Sequence, residues 1–328
     1  MPLLQVTDLR VRLNTQRGPA DAVRGVSFAL ERGETLGLIG ESGCGKSITA
    51  LALLGLLPER AEVSGSIRFD GEELVGRSDA EMCRLRGNRI GIVFQEPMTA
   101  LNPLHSIGRQ VAEPMRLHQG LSEAAARKEA VALLDRVGLP DASRRIDAYP
   151  HQLSGGQRQR VTIAMALACG PDLLIADEPT TALDVTIQGQ ILDLIADLVA
   201  ERGMALLLIS HDLGVIAENV ARMLVMYGGS VVESGPTAEV FGRMAHPYTQ
   251  GLFAARPKLG AAPGTRLATI AGTVPELADL PRGCPFTERC RLAVAACRDT
   301  APPSVAIGPG HEARCLRVEA ALAGAEGR

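Results

Sequence analysis

Apolar residues in much of the chain alternate with polar residues or form short runs of about four to eight, and both patterns are typical of β-strands. In the N-terminal part, the predicted strands are 3–11, 23–30, 34–39, 65–69 and 89–94. Further along, strands at 172–177 and 205–210 flank an amphipathic helix at 186–202. This alternation of strands and helices predicts an α/β core with a largely parallel sheet.

Between Met98 and about Leu167 the apolar spacing changes to that of helices. One predicted helix begins after Ser122, a good N-cap residue, and ends at Gly138. Its apolar positions recur at helical spacing, at Ala126, Ala130, Leu133, Leu134 and Val137. We interpret residues 98–167 as a helical subdomain inserted into the α/β core.

The C-terminal part of the chain has a different composition. Residues 256–328 contain eight of the 20 prolines and four of the seven cysteines. No strong helical period appears there before about 315–322. We therefore predict one large domain over residues 1–255 and a small Cys/Pro-rich module over 256–328, whose last residues, Gly324–Arg328, are expected to fray.

The overall composition argues against several classes of protein. The formal net charge is −3 and no block of Lys or Arg stands out, so we expect no nucleic-acid partner. No apolar run approaches the ~18–20 residues that cross a bilayer. Met1 leads directly into a predicted strand, so we also expect no signal peptide. The sequence predicts a chain that is soluble by itself.

A glycine-rich loop follows the strand at 34–39 and opens a predicted helix. Its residues fit the pattern G-x-x-x-x-G-K-[ST] and are Gly40, Glu41, Ser42, Gly43, Cys44, Gly45, Lys46 and Ser47. Glycines allow backbone N–H groups to surround phosphates at the positive end of a helix. We expect Lys46 to reach the β- and γ-phosphates of ATP and Ser47 to bind Mg²⁺. Cys44 is interpreted as a small filler of the loop.

Two carboxylates end the apolar strand that begins at Leu173. Ligands of open α/β sheets bind at the C-terminal ends of strands. Asp177 is therefore the candidate for holding Mg²⁺ through its water shell, and Glu178 for orienting and deprotonating an attacking water. The alternative is a solvated acidic pair without a catalytic role.

The run Leu153-Ser154-Gly155-Gly156-Gln157 lies between the phosphate loop and the acidic strand end. In this order the three motifs resemble those of ATP-binding-cassette (ABC) ATPases, and the resemblance covers about residues 3–240. It implies a P-loop NTPase cassette with a mixed β-sheet core, which hydrolyses ATP between two copies. It also implies that the ATP held by the opposite subunit is bound by Ser154, Gly155, Gly156 and Gln157.

The same resemblance gives roles to three further features. Gln95 lies where the family has a glutamine that contacts Mg²⁺ and water. The loop Thr180–Asp184 resembles the segment that communicates across the cassette dimer. His211, which follows the apolar strand 205–210, matches the switch histidine that contacts the γ-phosphate.

One departure from the family concerns the base of the nucleotide. ABC cassettes usually place an aromatic residue before the second strand, where it stacks on adenine. The stretch Asn14–Val23 contains no aromatic residue. Arg17 falls near that position, and a guanidinium group can stack on a base.

The C-terminal motifs narrow the resemblance to the ATPases of oligopeptide and dipeptide importers. The matching segments are Tyr149–Gln152, His246–Leu252, and Gly283–Phe286 with Arg289-Cys290. Four cysteines of this region follow the spacing C-x5-C-x6-C-x17-C and are Cys284, Cys290, Cys297 and Cys315. Four thiolates suit a [4Fe–4S] cluster or a tetrahedral Zn²⁺ ion. The resemblance favours the [4Fe–4S] cluster, and a set of buried free thiols is the alternative.

The resemblance implies an ATP- and Mg²⁺-dependent translocase subunit that powers peptide import across a bacterial cytoplasmic membrane, bound peripherally on its cytoplasmic side. The implied partners are a second ABC ATPase subunit, expected to be a paralogue, two transmembrane permeases and an extracytoplasmic solute-binding protein. An alternative is the same machine importing nickel, glutathione or another small solute. A soluble ABC ATPase acting on ribosomes or DNA is disfavoured, because such proteins usually carry two cassettes or long coiled coils.

Overall fold

The computed structural model describes residues 1–181, 183–256 and 269–324. The chain divides into two compact units. The first comprises 1–3, 30–34 and 76–208, and the second comprises 4–29, 35–75 and 209–328. Of the ranges discussed above, residue 182 in the loop Thr180–Asp184 and residues 257–268 and 325–328 of the C-terminal module lie outside the described residues.

The strands are β1 (Leu4–Thr15), β2 (Gly18–Leu30), β3 (Thr35–Ile39), β4 (Glu62–Phe69), β5 (Glu72–Glu73), β6 (Ile90–Val93), β7 (Leu173–Asp177), β8 (Ala205–Ser210), β9 (Arg222–Tyr227), β10 (Ser230–Pro236), β11 (Ser304–Gly308) and β12 (His311–Arg314). The α-helices are α1 (Lys46–Leu53), α2 (Asp79–Cys83), α3 (Pro97–Ala100), α4 (Ile107–Gln119), α5 (Glu123–Arg136), α6 (Ala142–Arg145), α7 (Gly155–Leu167), α8 (Val185–Arg202), α9 (Leu213–Asn219), α10 (Thr237–Gly242), α11 (Pro247–Ala254), α12 (Ala296–Asp299) and α13 (Val318–Ala323). Short 3-10 helices cover Pro150–Gln152, Leu277–Asp279 and Thr287–Arg289.

The second unit contains two sheets. One has the strand order β2-β1-β4-β5, with β4 antiparallel to both β1 and β5. The other follows the order β11-β12-β10-β9-β3. In it β3 and β9 are parallel, whereas β9, β10, β12 and β11 pair antiparallel. This sheet is therefore mixed, and among these five strands the expected parallel pairing is found between β3 and β9.

The first unit places its buried strands in the order β8-β7-β6, with β6 and β7 parallel. The segment that follows β6 is helical through α7, as the spacing predicts. Ser122 is confirmed as the N-cap of α5, because its hydroxyl accepts a hydrogen bond from the Ala125 N–H at 3.3 Å. Gly138 follows the end of that helix in a left-handed conformation with φ 74°.

The C-terminal region adds a β-hairpin to the mixed sheet. Strand β12 pairs with β10, so that Glu233 lies opposite Ala313. A small apolar cluster of Ala245, Ala313 and Val318, with Cys315 packed against it, lies beside this hairpin. The helix expected near 315–322 is observed as α13. The boundary between residues 255 and 256 stays a prediction.

No helix in the part of the chain that the structure describes is both long enough and apolar enough to span a membrane.

Candidate functional site

The phosphate loop connects the buried strand β3 to α1 in the second unit. Gly45 has φ 103°, and a Cβ atom there would lie 2.7 Å from the carbonyl oxygen of Ala22. Only glycine therefore fits this position. The ammonium group of Lys46 donates to the carbonyls of Gly40 at 2.7 Å and Glu41 at 3.2 Å.

Lys46 is only 4% exposed, so the loop encloses a positive charge at the start of a helix. This arrangement suits the β- and γ-phosphates of a nucleotide. The neighbouring Cys44 is fully buried, and burial is the largest cause that raises the pKa of its thiol. A buried thiol with a raised pKa stays protonated at neutral pH, which supports its interpretation as a filler.

The acidic strand end lies in the first unit. Every residue of β7 is buried, and Asp177 at its end is 6% exposed. Glu178 follows with φ 47°, an uncommon conformation for a residue other than glycine. Backbone strain of this kind is found at functional sites, where the surrounding structure maintains it.

The side chain of Glu178 is oriented by two neighbours. Its Oε2 atom accepts hydrogen bonds from the Gln95 amide at 3.0 Å and from the Thr181 hydroxyl at 3.1 Å. The structure thus brings together Gln95 and Glu178, two residues that the sequence analysis selected independently. Gln95 and Asp177, both in the first unit, carry oxygen donors of the kind that Mg²⁺ prefers.

The glycine-rich run after Leu153 forms the N-terminus of α7, a helix of 13 residues. Ser154 is its N-cap and forms a capping box with Gln157, at 3.3 Å and 3.1 Å. Ser154 and Gly155 are exposed and line a cavity of about 580 Å³, together with Gly156, Gln157 and residues of α8. The positive end of a helix therefore borders an open space large enough for a phosphate group.

Two further predicted residues are located near helix starts. His211 follows β8 and is exposed, and Asp212 after it caps α9 by accepting the Gly214 N–H at 2.7 Å. Asp184, at the end of the loop predicted to communicate across the dimer, caps α8 by accepting the Ile187 N–H at 3.0 Å.

The C-terminal region makes contacts with the phosphate loop that no sequence pattern predicts. The backbone N–H of Glu41 donates to the hydroxyl of Tyr248 at 2.8 Å. Arg289 donates to both carboxylate oxygens of Glu41 and to the hydroxyl of Tyr227. Both Tyr248 and Arg289 lie in motifs that the sequence singled out, but no local spacing relates positions 207 and 248 residues apart.

Arg17, the residue near the expected base-stacking position, is held by carboxylates. Its guanidinium donates to Glu276 at 2.8 Å and to both oxygens of Asp279 at 2.7 Å. The hydrogen bonds with Asp279 and Glu276 raise the pKa of Arg17. This contact again links the N-terminal strands to the C-terminal region within the second unit.

The four C-terminal cysteines lie close enough together to influence one another electrostatically. Burial first, and then the neighbouring thiols, raises the pKa of Cys284 to about 11. Burial and neighbouring thiols also raise the pKa values of Cys290 and Cys315. Nevertheless, within residues 1–181, 183–256 and 269–324, no three side chains among His, Cys, Asp and Glu are gathered as a metal site requires.

Two family models and several known proteins match this chain. Residues 23–181 match the family model described as ABC transporter, and residues 232–297 match the model described as oligopeptide/dipeptide transporter, C-terminal region. The chain is 51% identical to a putative peptide import ATP-binding protein of Brucella melitensis, over 96% of this chain and 97% of that protein.

A second relative is the oligopeptide transport ATP-binding protein OppD of Mycobacterium tuberculosis, which is 51% identical over 97% of this chain and 52% of OppD. This chain therefore spans about half the length of OppD. Among solved structures, the dimeric post-hydrolysis state of the ATP-binding cassette MJ0796 bound to ADP and Pi is similar, with a TM-score of 0.65 and 29% identity. The match covers 71% of this chain and 98% of that one.

Proposed function

Because this chain belongs to the ABC transporter ATP-binding proteins of the peptide-import type, we propose that it hydrolyses ATP to power the import of peptides. Its fold is that of the ABC cassette, a P-loop NTPase with a mixed sheet, and its activity is that of an ATPase. The main structural support for the mechanism is the hydrogen bond from Gln95 to Glu178, the residue that follows the buried strand β7.

In the proposed reaction, Lys46 binds the β- and γ-phosphates of ATP. Ser47, Gln95 and Asp177 would hold Mg²⁺, which would neutralise charge on the phosphates. Glu178 orients and deprotonates the attacking water, and the hydrogen bonds from Gln95 and Thr181 fix its carboxylate for this step. His211 contacts the γ-phosphate.

A second copy of the cassette completes the site. The N-terminus of α7, with Ser154, Gly155, Gly156 and Gln157, binds the γ-phosphate of the nucleotide held by the opposite subunit. Support comes from the open cavity at this helix end and from the exposure of Ser154 and Gly155. Closure of the pair is favoured by ATP, because the γ-phosphate is bridged by both subunits only in the closed state.

The proposed machine has further subunits. Residues 1–255 form the ATPase domain, and its helical subdomain at 98–167 transmits closure to two transmembrane permeases. An extracytoplasmic solute-binding protein delivers the peptide. The second ATPase subunit is a paralogue of this chain, and the assembly places the chain on the cytoplasmic side of the inner membrane.

The Cys/Pro-rich module at 256–328 has a structural role in this proposal. Cys284, Cys290, Cys297 and Cys315 are the candidate ligands of one [4Fe–4S] cluster, with Zn²⁺ as the alternative metal. Burial and neighbouring thiols raise the pKa values of Cys284, Cys290 and Cys315, which supports a position of these sulfur atoms near one another. The Arg317 N–H donates to the sulfur of Cys315 at 3.3 Å, a type of contact that tunes metal-bound thiolates.

The test is transport by the whole assembly in proteoliposomes. The chain is co-purified with its permeases and second ATPase subunit, and uptake of a mixed pool of labelled di- to pentapeptides is measured with the solute-binding protein present. We expect uptake that requires ATP and Mg²⁺ and that stops with Glu178→Gln. ATP hydrolysis without uptake of any peptide would reject the cargo, and the absence of ATP hydrolysis would reject the enzymatic assignment.

A further inference from the structure

A cavity of about 590 Å³ lies beside the phosphate loop in the second unit. Three separate segments line it: Thr15–Arg17 from the turn after β1, Ser42–Gly43 from the phosphate loop, and Val274–Ala278 from the C-terminal region. Its volume falls in the range of about 300–1,000 Å³ that is typical of small-molecule sites. The cavity therefore connects the phosphate loop with residues that the ATP motifs do not include.

The lining of this cavity is of two kinds. Val274, Pro275 and Leu277 are half-buried, so they present apolar surface without being part of a closed core. Thr15 and Gln16, which also line it, carry polar side chains. Apolar surface together with hydrogen-bonding groups suits a flat heterocycle with polar edges.

We propose that the base of the bound nucleotide occupies this cavity and that Val274 and Leu277 pack against it. These residues take the place of the aromatic side chain that the stretch Asn14–Val23 lacks. Ser42 and Gly43 line this space and belong to the same loop as Lys46, so the cavity lies next to the expected position of the phosphates. The inference rests on the proposed ATP binding and adds that the C-terminal region supplies part of the nucleotide site.

Arg17 is a positioning residue in this arrangement. Asp279 engages two nitrogen atoms on one edge of the guanidinium group, and Glu276 engages one of them as well. Hydrogen bonds along an edge leave the planar faces of the group available for stacking. The same contacts hold the segment 274–278 beside the turn after β1, so the apolar wall depends on them.

The charged groups beside the cavity disfavour an anionic ligand. Arg17 contributes one positive charge, and Glu276 and Asp279 contribute two negative charges. The cluster is therefore net negative by one charge, which repels a second phosphate or another anion. An uncharged base is the part of the nucleotide that suits this position.

The first test compares two ligands that differ only in the nucleoside. Affinities for ATP–Mg²⁺ and for tripolyphosphate–Mg²⁺ are measured by calorimetry on the full chain. The variants are Val274→Asp, which puts a carboxylate into the cavity, and the matched control Val305→Asp on exposed β11. We expect Val274→Asp to weaken ATP binding about ten-fold more than tripolyphosphate binding, because only ATP carries a base that loses its apolar contact.

The control variant should bind both ligands as the parent does. ATP affinity of Val274→Asp within two-fold of the parent would overturn the inference, and so would equal affinities of the parent for the two ligands. A parent chain that binds neither ligand would instead reject the proposed ATP binding, so the two failures are distinguishable.

A second measurement does not depend on how a variant folds. The parent chain is photolabelled with 8-azido-ATP, whose reactive group sits on the base, and digested with trypsin. We expect label in the peptide of residues 267–282, which contains Val274 and Leu277. Label that is absent from this peptide and present only elsewhere would overturn the inference.

Discussion

Arg289 binds both carboxylate oxygens of Glu41, a residue of the phosphate loop that lies 248 positions earlier in the chain. The distances are 2.6 Å from Nη1 to Oε2 and 3.1 Å from Nη2 to Oε1. The Arg289 side chain is 5% exposed and that of Glu41 is 28% exposed. A bidentate pair of this kind fixes direction as well as distance, so the C-terminal region helps to set the position of the phosphate loop.

We expect Arg289→Ala to lower the free energy of unfolding by about 2–3 kcal/mol. Removal of one partner from a buried ion pair costs ~3–5 kcal/mol, and the partial exposure of Glu41 reduces the loss. The variant should also bind ATP more weakly, because the backbone of Glu41 belongs to the loop. Urea denaturation and calorimetric titration with ATP–Mg²⁺ measure the two effects.

The matched control is Arg298→Ala, whose ion pair with Glu288 is mostly exposed. Its loss should change the free energy of unfolding by less than about 1 kcal/mol, since exposed pairs contribute little. Arg289→Lys keeps the charge but cannot form both hydrogen bonds, and it should restore only part of the stability. Equal effects of Arg289→Ala and Arg298→Ala would contradict the role assigned to the Glu41 contact.

Glu178→Gln should keep ATP binding and remove most of the turnover. The amide can still accept from Gln95 and Thr181 through its oxygen, so the geometry survives while the base is lost. Loss of a general base reduces rates by ~10²–10⁴-fold. ATP hydrolysis by the assembled transporter is the measurement, with Glu129→Gln on the exposed face of α5 as the control. Turnover within a few-fold of the parent would rule out Glu178 as the base.

Lys46→Ala should weaken the binding of ATP itself. The ammonium group is nearly buried inside the loop, and hydrogen bonds with a charged partner contribute ~1.5–3 kcal/mol, which corresponds to about ten- to hundred-fold in affinity. The control is Lys128→Ala at an exposed position of α5, which should leave the affinity for ATP unchanged. An ATP affinity of Lys46→Ala equal to that of the parent would show that the lysine does not bind the phosphates.

The features predicted correctly from the sequence have local patterns. Lys46 begins a helix after a glycine-rich loop, and Ser154 caps α7, because each role depends on neighbours within a few positions. The acidic end of β7 was predicted for the same reason, since an apolar run marks a buried strand.

The missed features depend on residues that are far apart in the chain. Strands β11 and β12 lie in a Pro-rich segment without clear alternation. They are stabilised because β12 pairs with β10 and β11 pairs with β12. The contact of Arg289 with Glu41 has no local signature, because a single arginine at the end of a 3-10 turn has many possible partners. Long-range pairing of this kind is decided by tertiary packing, which single-sequence patterns do not encode.

Gly155→Asp should prevent productive pairing of two cassettes while it leaves the isolated chain intact. A Cβ atom at Gly155 has its nearest neighbour, Leu183, at an ordinary 3.5 Å, whereas at Gly156 it would lie 2.9 Å from Ile187. A carboxylate at the first position of α7 is favourable for the helix but repels an incoming phosphate.

ATP hydrolysis by the assembled transporter should therefore fall by about ten-fold or more, as ~1.4 kcal/mol of repulsion would produce. ATP affinity of the isolated chain should stay at the parent value, and Gly242→Asp at an exposed open position serves as the control. If the isolated Gly155→Asp chain lost its ATP affinity, the helix end would serve the nucleotide of its own subunit.

The four C-terminal cysteines give the last prediction. Chain purified without oxygen should be brown and contain about four irons per chain, the stoichiometry of a Cys₄ cubane. Cys290→Ser should lose the colour and the iron, whereas Cys83→Ser, at an exposed cysteine in α2, should keep both. A cluster of this kind joins distant segments of a region with little apolar core, so its loss should also destabilise the C-terminal region, as removal of zinc does in small domains. One zinc per chain without iron would replace the cluster by a zinc site, and four free thiols in metal-free native protein would reject both.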